Sequence, residues 1–129
     1  MSIHVTAGDC LNRILSAKYP EETFIPFREA MIDGPCSFAP FSDEFLAERA
    51  SFHGCTLGEY KKHMAPFLDL LGRMSNYSEI VLWFGDEPFC RNNSETVIAA
   101  LKLRGYQGSI TLNIVIEETG QVLRSERIQ

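Results

Sequence analysis

The stretch IHVTAGDC (residues 3–10) contains the junction of a strand and a helix, and it decides how the rest of the chain is interpreted. Ile3–Thr6 alternates apolar and polar residues, as a β-strand does, and Ala-Gly-Asp follows. Leu11, Ile14 and Leu15 then have the i, i+3, i+4 spacing of a helix. In α/β proteins such a junction often holds a ligand. Asp9 is therefore either a ligand-binding acid or the N-cap of the helix.

The composition of the 129-residue chain predicts a soluble globular protein. Apolar residues make up 45% and charged residues 22%, which is ordinary for a domain with a packed core. The net charge of −5 argues against binding to a nucleic-acid backbone, which requires a concentrated basic surface. Neither a membrane-spanning apolar run nor a signal-peptide pattern is present. We expect one cytoplasmic domain over residues 1–129, with neither nucleic acid nor membrane as a partner.

The four cysteines, Cys10, Cys36, Cys55 and Cys90, fit a reducing compartment. They form no C-x-x-C pair, so the sequence predicts neither a zinc site nor a redox motif. Cys10 and Cys90 fall near predicted helix N-termini, where a thiolate is favoured. Because neither has a histidine close in sequence, packing is favoured over a nucleophilic role.

Strand patterns recur between the predicted helices. A second strand is predicted at Thr23–Arg28, and its Pro26 favours an edge position because proline cannot donate to a neighbouring strand. The continuous apolar run EIVLWFG (79–85) predicts a strand buried on both faces. A fourth strand is predicted at 109–116, followed by a short antiparallel strand at Val122–Ile128.

Alternating strands and helices predict an α/β fold, a Rossmann-like three-layer sandwich with a mostly parallel sheet of four to five strands. Right-handed crossovers and an edge position for the second strand favour the order 2-1-3-4, with an antiparallel C-terminal edge strand. The first and third strands are then neighbours. Ligands bind at such a switch point, beyond the carboxyl ends of the strands.

Local signals set the ends of the helices. Ser42 is predicted to cap a helix that presents Phe45, Leu46 and Phe52 on one face. The segment TLGE (56–59) has the pattern of a capping box, in which the first and last residues satisfy each other's backbone amides.

Three further signals predict where helices are interrupted and where loops lie. Pro66 should kink or divide the helix that follows the capping box. The segment DEPFCRNN (86–93) is predicted as a loop, after which Ser94 or an adjacent asparagine caps a helix that Gly105 ends. Residues 29–41 show no periodicity and are predicted as a long loop.

Two similar turns are predicted to meet at the switch point. Gly8-Asp9-Cys10 follows the first strand, Gly85-Asp86-Glu87 follows the third, and Arg28 and Glu29 follow the second. Glycine lets the backbone approach a ligand closely. Carboxylates from three turns are suited to holding Mg²⁺ or to acid–base work, and Arg28 is suited to clamping a phosphate or carboxylate.

Structural roles compete with these functional ones. Asp9 stands where the first helix needs an N-cap, Asp86 and Glu87 suit a solvated loop, and a structural partner would equally explain Arg28. His4 alternates with apolar neighbours and is interpreted as a core histidine. His53 and His63 are interpreted as surface residues, and Trp83 and Phe84 as core residues that face opposite sides of the sheet.

Three segments resemble the bacterial domain-of-unknown-function family 1835: IHVTAGDC (3–10), FREAMIDGP (27–35) and LWFGDEPFCRNN (82–93). The family shows an H-V-x-x-G-D opening, an R-E-x-x-x-x-G-P segment and an L-W-F-G-x-D-x-F-C-Q-x-N segment. Arg91 stands at the family's glutamine position, and Pro88 enters the loop. The resemblance implies a Rossmann-like domain without an assigned activity. It singles out His4, Gly8, Asp9, Arg28, Glu29, Gly34, Pro35, Trp83, Phe84, Gly85, Glu87, Cys90 and Asn93.

Three functions are compatible with these observations. The first is binding of a small polar or anionic ligand at the ends of the first and third strands. The second is a carboxylate- or Mg²⁺-dependent hydrolase or transferase using the same residues. The third is a non-catalytic interaction module, such as a homo-oligomer formed through an apolar patch at Phe38, Phe41 and Phe45. The candidate ligand-binding residues are His4, Gly8, Asp9, Arg28, Glu29, Gly85, Asp86, Glu87, Cys90 and Asn93.

Overall fold

A computed structural model describes all 129 residues, and its strands form one five-stranded sheet. The strands are β1 (Ser2–Ala7), β2 (Phe24–Phe27), β3 (Glu79–Gly85), β4 (Ser109–Ile116) and β5 (Gln121–Ile128). Their order is β2-β1-β3-β4-β5; the first four are parallel, and β5 is antiparallel to β4. The predicted α/β class and strand order are confirmed.

Helices cover both faces of the sheet. They are α1 (Gly8–Lys18), α2 (Asp43–His53), α3 (Leu57–His63), α4 (Ala65–Arg73) and α5 (Pro88–Leu103). Helix α1 packs alone on one face, where Leu11 and Leu15 contact a small cluster around Trp83. The other helices cover the opposite face, where Phe27, Phe67 and Phe84 belong to the main core. No helix combines the length and the apolar character that crossing a membrane requires.

Several local signals act as the sequence predicts. Pro26 lies in the edge strand β2, opposite Thr6 of β1. The Ser42 hydroxyl accepts from the Phe45 amide at the start of α2, and both bonds of the Thr56–Glu59 capping box form at the start of α3. Pro66 divides the next helical stretch into α3 and α4 because it stands in the first turn of α4.

Helix α5 begins earlier than the sequence predicts. It starts at Pro88 with Glu87 at the N-cap position, so most of the segment expected to be a loop is helical. Proline is favoured in the first turn of a helix, where its missing N–H costs nothing. Ser94 is therefore not a cap; it lies inside the helix, and its hydroxyl donates to the Arg91 carbonyl.

The long loop after β2 packs against its own core. Phe41 and Phe45 are buried, and Phe41 contacts both Phe45 and Phe67, so the predicted exposed patch does not exist; only Phe38 is exposed. Phe52 was expected on the buried face of α2 but is 45% exposed. Its place on that face is taken by Arg49, which is fully buried.

Candidate functional site

A cleft of about 340 Å³ opens beyond the carboxyl ends of β1 and β2, between the N-terminal ends of α1 and α5. Of the ten candidate ligand-binding residues, it brings together Gly8, Arg28, Glu29, Cys90 and Asn93. We call it the switch-point cleft; its remaining lining residues are Ala7, Phe27, Ala30, His53, Phe89 and Glu117.

A second cleft of about 320 Å³ adjoins the first. We call it the α3 cleft; it is lined by Arg28, His53, Cys55, Glu59, Tyr60 and His63. Arg28 and His53 line both clefts, so they form the wall that the clefts share. Both side chains are partly exposed, at 30% for Arg28 and 39% for His53, and an incoming ligand can reach them.

The start of α1 forms one edge of the switch-point cleft. Gly8 is the first residue of the helix and has a φ of +79°, a conformation that strongly favours glycine. The hydroxyl of Thr6 donates to the Gly8 carbonyl at 3.0 Å. No side chain caps α1, because Ala7 occupies the N-cap position. The first amide groups of a helix attract anions, and here no side chain competes for them.

Asp9 does not cap the helix, which corrects the structural interpretation of this residue. It lies within the first turn of α1, and its carboxylate accepts from the Arg28 guanidinium. The Arg28 Nε lies 3.2 Å from each Asp9 oxygen, and Nη2 lies 3.1 Å from Oδ1. Nη1 donates to the His63 carbonyl at 3.3 Å. Arg28 thus ties the end of β2 to α1 and to α3.

Glu29 is buried at the centre of a polar network behind the shared wall. Arg49 donates to both of its oxygens, from Nη2 at 2.8 Å and from Nε at 3.1 Å. The Tyr60 hydroxyl donates to Oε2 at 2.6 Å, and the Ala30 amide donates to Oε1 at 2.9 Å. His53 completes the set, with Nε2 at 3.0 and 3.1 Å from the two oxygens.

The network keeps Glu29 ionised in spite of its burial. Burial raises the pKa of Glu29, but the hydrogen bonds from Arg49, Tyr60 and the Ala30 amide outweigh it and hold this pKa at about 2. Burial lowers the pKa of Arg49, but its bonds to Glu29 outweigh that effect and raise it. Burial and the bond to Glu29 both raise the pKa of Tyr60. The charged Glu29–Arg49 pair therefore persists throughout the physiological pH range.

Arg49 also fixes the loop that follows β2. Its Nη1 donates to the carbonyls of Asp33 at 2.7 Å and Pro35 at 3.0 Å, and Nη2 donates to that of Ala30 at 3.3 Å. Asn93 of α5 accepts from the Met31 amide at 2.8 Å and holds the same loop from the other side. Glu29 and Asn93 thus have structural partners and position the cleft wall.

Cys90 is buried at the floor of the switch-point cleft. Its thiol donates to Glu117 Oε2 at 2.7 Å. Burial and this hydrogen bond raise the pKa of the Cys90 thiol to about 12. A thiol with such a pKa is not ionised at neutral pH, so the arrangement does not produce a thiolate nucleophile.

The sequence predicts that the turn after β3 faces the turn after β1, but the two turns line different clefts. Gly85, Asp86 and Glu87 line a different cleft of about 320 Å³, toward β4 and β5. Asp86 accepts from Arg91 at 3.0 Å and from Arg124 at 2.9 Å, and these bonds lower its pKa. The described residues bring no three His, Cys, Asp or Glu side chains close enough to hold a metal ion. The carboxylates of the three turns, which the sequence predicts to converge, are therefore not brought together.

His4 lies away from the clefts, beneath α1. Its Nδ1 accepts from the Trp83 indole at 3.0 Å, and its Nε2 contacts Glu22 at 3.1 Å. Both ring nitrogens are thus occupied, as the interpretation of His4 as a core histidine requires.

Four residues near the clefts were not identified by sequence reasoning: Arg49, His53, Tyr60 and Glu117. A signal existed for Arg49, because it falls on the apolar face of α2 beside Phe45, Leu46 and Ala50. A charged residue on a buried helix face requires a buried partner. His53 gave no such signal, since its position at the end of α2 is typical of an exposed residue.

A comparison of the chain with models of protein families, with curated proteins and with solved structures finds no match.

Proposed function

We propose that the protein binds a small anion, a carboxylate or a phosphate, in the switch-point cleft, with Arg28 as the principal contact. The observation that carries the proposal is the hydrogen bonding of Arg28. A guanidinium has five N–H donors. Three of them are used by Asp9 and by the His63 carbonyl, which leaves one N–H on each terminal nitrogen without an acceptor.

The surroundings of Arg28 also support an anion. The uncapped start of α1 forms the opposite edge of the switch-point cleft. Three carboxylates line the clefts, and each is already engaged: Glu29 accepts from Arg49, Glu59 from the Thr56 amide, and Glu117 from the Cys90 thiol. The free N–H groups of Arg28 and the start of α1 thus offer donors to an anion although the chain has a net charge of −5.

Binding is favoured over the two other functions predicted from the sequence. Three of the four acids expected to act in a hydrolase or transferase are held by arginines: Asp9 by Arg28, Glu29 by Arg49 and Asp86 by Arg124. Two of the three residues of the apolar loop patch expected of an interaction module, Phe41 and Phe45, are buried. Membership of the domain-of-unknown-function family 1835 stays a proposal and agrees with the choice of Gly8, Arg28, Glu29, Cys90 and Asn93.

The proposal can be tested by titrating the ¹⁵N-labelled protein with inorganic phosphate and with propionate. We expect the amide signals of Gly8, Arg28 and His53 to shift. Arg28→Gln should weaken binding about tenfold or more, because a hydrogen bond to a charged group contributes about 1.5–3 kcal/mol. Arg13→Gln is the matched control, since Arg13 is exposed on α1 and its side chain contacts only Cys10. Equal losses in the two variants, or no shifts with either anion, would contradict the proposal.

A further inference from the structure

His53 presents one ring nitrogen with a fixed role and one without a partner. Its Nε2 lies between the two oxygens of Glu29, whose carboxylate is ionised and can only accept. Nε2 must therefore carry the hydrogen. In the neutral ring, Nδ1 then has a lone pair, and it makes no hydrogen bond within the protein.

The surroundings of His53 hold this orientation. The ring stacks on Tyr60 of α3 at 5.9 Å between centroids and contacts Phe52 at its edge. Glu29 is itself fixed by Arg49, Tyr60 and Ala30, so the ring cannot turn over without losing a charge-assisted bond. The charged or titratable groups that line the α3 cleft beside it are Arg28, Cys55, Glu59, Tyr60 and His63.

We infer that the anion bound at Arg28 also carries a hydroxyl group, which donates to Nδ1 of His53. This inference rests on the proposed function and narrows its ligand to hydroxy acids and to phosphate esters with a free hydroxyl. Arg28 and His53 form the wall shared by both clefts, so one small molecule can contact the two side chains together. The bond to Glu29 fixes the hydrogen on Nε2 and so leaves Nδ1 as the acceptor of the ring.

Matched ligand pairs test the inference. Lactate is compared with propionate, and 2-hydroxypropyl phosphate with propyl phosphate, by calorimetry and by NMR. The hydroxylated member of a pair should bind about fivefold more tightly, as one added hydrogen bond predicts. His53→Phe, which keeps an aromatic ring over Tyr60, should abolish that preference. His63→Phe removes an imidazole that contacts the Arg28 carbonyl and not Glu29, so it should change both affinities of a pair equally and leave the preference unchanged.

The outcomes separate this inference from the proposed function. Equal affinities within both pairs would overturn the hydroxyl contact and leave anion binding intact. If neither member of either pair binds, both proposals fail. Should His53→Phe not fold, ¹⁵N NMR of the wild-type imidazole decides: Nδ1 should be unprotonated and should shift with lactate and not with propionate. A protonated Nδ1 in the neutral ring would overturn the inference.

A second surface carries an independent inference. Strand β5 forms an open edge of the sheet, and residues 121–127 are exposed although the strand pairs with β4; a bulge interrupts this ladder between Val122 and Arg124. Strand β5 pairs only with β4, so its outer N–H and C=O groups have no strand partner. Such an edge is a template for pairing with another strand.

The sequence of β5 is suited to pairing with itself. Two copies of β5 that pair antiparallel are related by a two-fold axis perpendicular to the sheet. Residues that face each other across such a pair lie on the same side of the sheet, so one residue must face its own copy across the axis. If Arg124 or Glu126 faces its own copy, like charges meet. If Ser125 faces its own copy, Arg124 of each copy lies opposite Glu126 of the other. Arg124 gives one N–H to Asp86 and keeps the others for this contact.

We propose that a second copy of the chain pairs with β5 in an antiparallel arrangement centred on Ser125. Opposite charges at facing positions of an antiparallel pair are stabilising, and like charges are destabilising. Arg124→Glu and Glu126→Arg should each convert the dimer to a monomer, and the double variant should restore the dimer. Sedimentation equilibrium measures the molecular mass, and circular dichroism verifies that each variant is folded. A monomeric wild type, or a double variant that stays monomeric, would overturn the proposal.

Discussion

Glu29 illustrates how a carboxylate stays ionised inside this protein. It contributes stability only together with Arg49, since each charge without the other would be buried and unpaired. The sequence placed Glu29 in the candidate site but gave no partner for it. The partner comes from α2, and two further donors come from α2 and α3.

Replacing Glu29 with glutamine should strongly destabilise the protein. The change leaves the Arg49 guanidinium buried without a counter-charge, which costs about 3–5 kcal/mol. Chemical denaturation measures the loss in the free energy of unfolding. Glu21→Gln is the control, because Glu21 is exposed and should change stability by less than about 0.5 kcal/mol. Similar values for the two variants would contradict the importance of the pair.

The low pKa of Glu29 also predicts how stability depends on pH. The folded state holds this pKa at about 2, against an ordinary value of 4.5, so the unfolded chain binds a proton more readily. The stabilisation is fully present above pH 4.5 and is lost as the pH falls toward 2. Denaturation curves across this range should show a decrease for the wild type and a much smaller one for Glu29→Gln. Parallel curves would contradict the assignment to Glu29.

The four cysteines should differ in reactivity. Cys10 and Cys36 are exposed and should react readily with a thiol reagent at pH 8, whereas Cys55 is partly buried and should react more slowly. Cys90 should be protected in the folded protein, because it is buried and its thiol pKa is raised to about 12. Mass spectrometry after timed labelling measures each site. Rapid labelling of Cys90 before unfolding would contradict its description as a packed thiol.

At the scale of single elements, the ends of helices show which local signals are sufficient. Ser42 and the Thr56–Glu59 box act as predicted because each needs only its own helix turn. The start of α5 was misplaced because Pro88 is compatible with either a loop or a first turn. Asp9 was misassigned because Arg28, a residue distant in sequence, competes for its carboxylate.

The capping box makes a prediction for α3. Thr56→Ala removes the bond from the Glu59 amide and should cost about 1 kcal/mol. Thermal unfolding measures this loss. Thr96→Ala is the matched control, because Thr96 lies inside α5, where alanine is the better helix former. If Thr96→Ala costs as much as Thr56→Ala, the cap is not the cause.

At the scale of the whole molecule, one sheet joins two unequal layers. The cluster beneath α1 contains five buried residues, and the main core contains 24. The two share the strands, since Trp83 faces α1 while its neighbour Phe84 faces the main core. The small layer is therefore not independent of the large one.

Unfolding should consequently be a single transition. Trp83 is the only tryptophan and reports on the α1 layer, whereas circular dichroism is dominated by the helices of the other face. Denaturant curves from the two signals should coincide, as a two-state transition requires. A fluorescence transition at lower denaturant would show that α1 leaves the sheet before the main core unfolds.

The sequence by itself determined the class of fold, the order of the strands and the ends of β3 and β4. These follow from apolar periodicity, from the restriction that Pro26 places on β2 and from the handedness of crossovers, all of which depend on residues close together in the chain. It also determined that the end of β2 belongs to the candidate site, through Arg28 and Glu29.

Only the tertiary structure decided which charges meet. It paired Asp9 with Arg28, buried Glu29 against Arg49, and turned Asp86 away from the cleft toward Arg124. It also brought His53 to the shared wall, a residue that the sequence alone would leave on the surface. The physical reason is that electrostatic partners are chosen by distance in space and by the loss of water around them, and local sequence encodes neither.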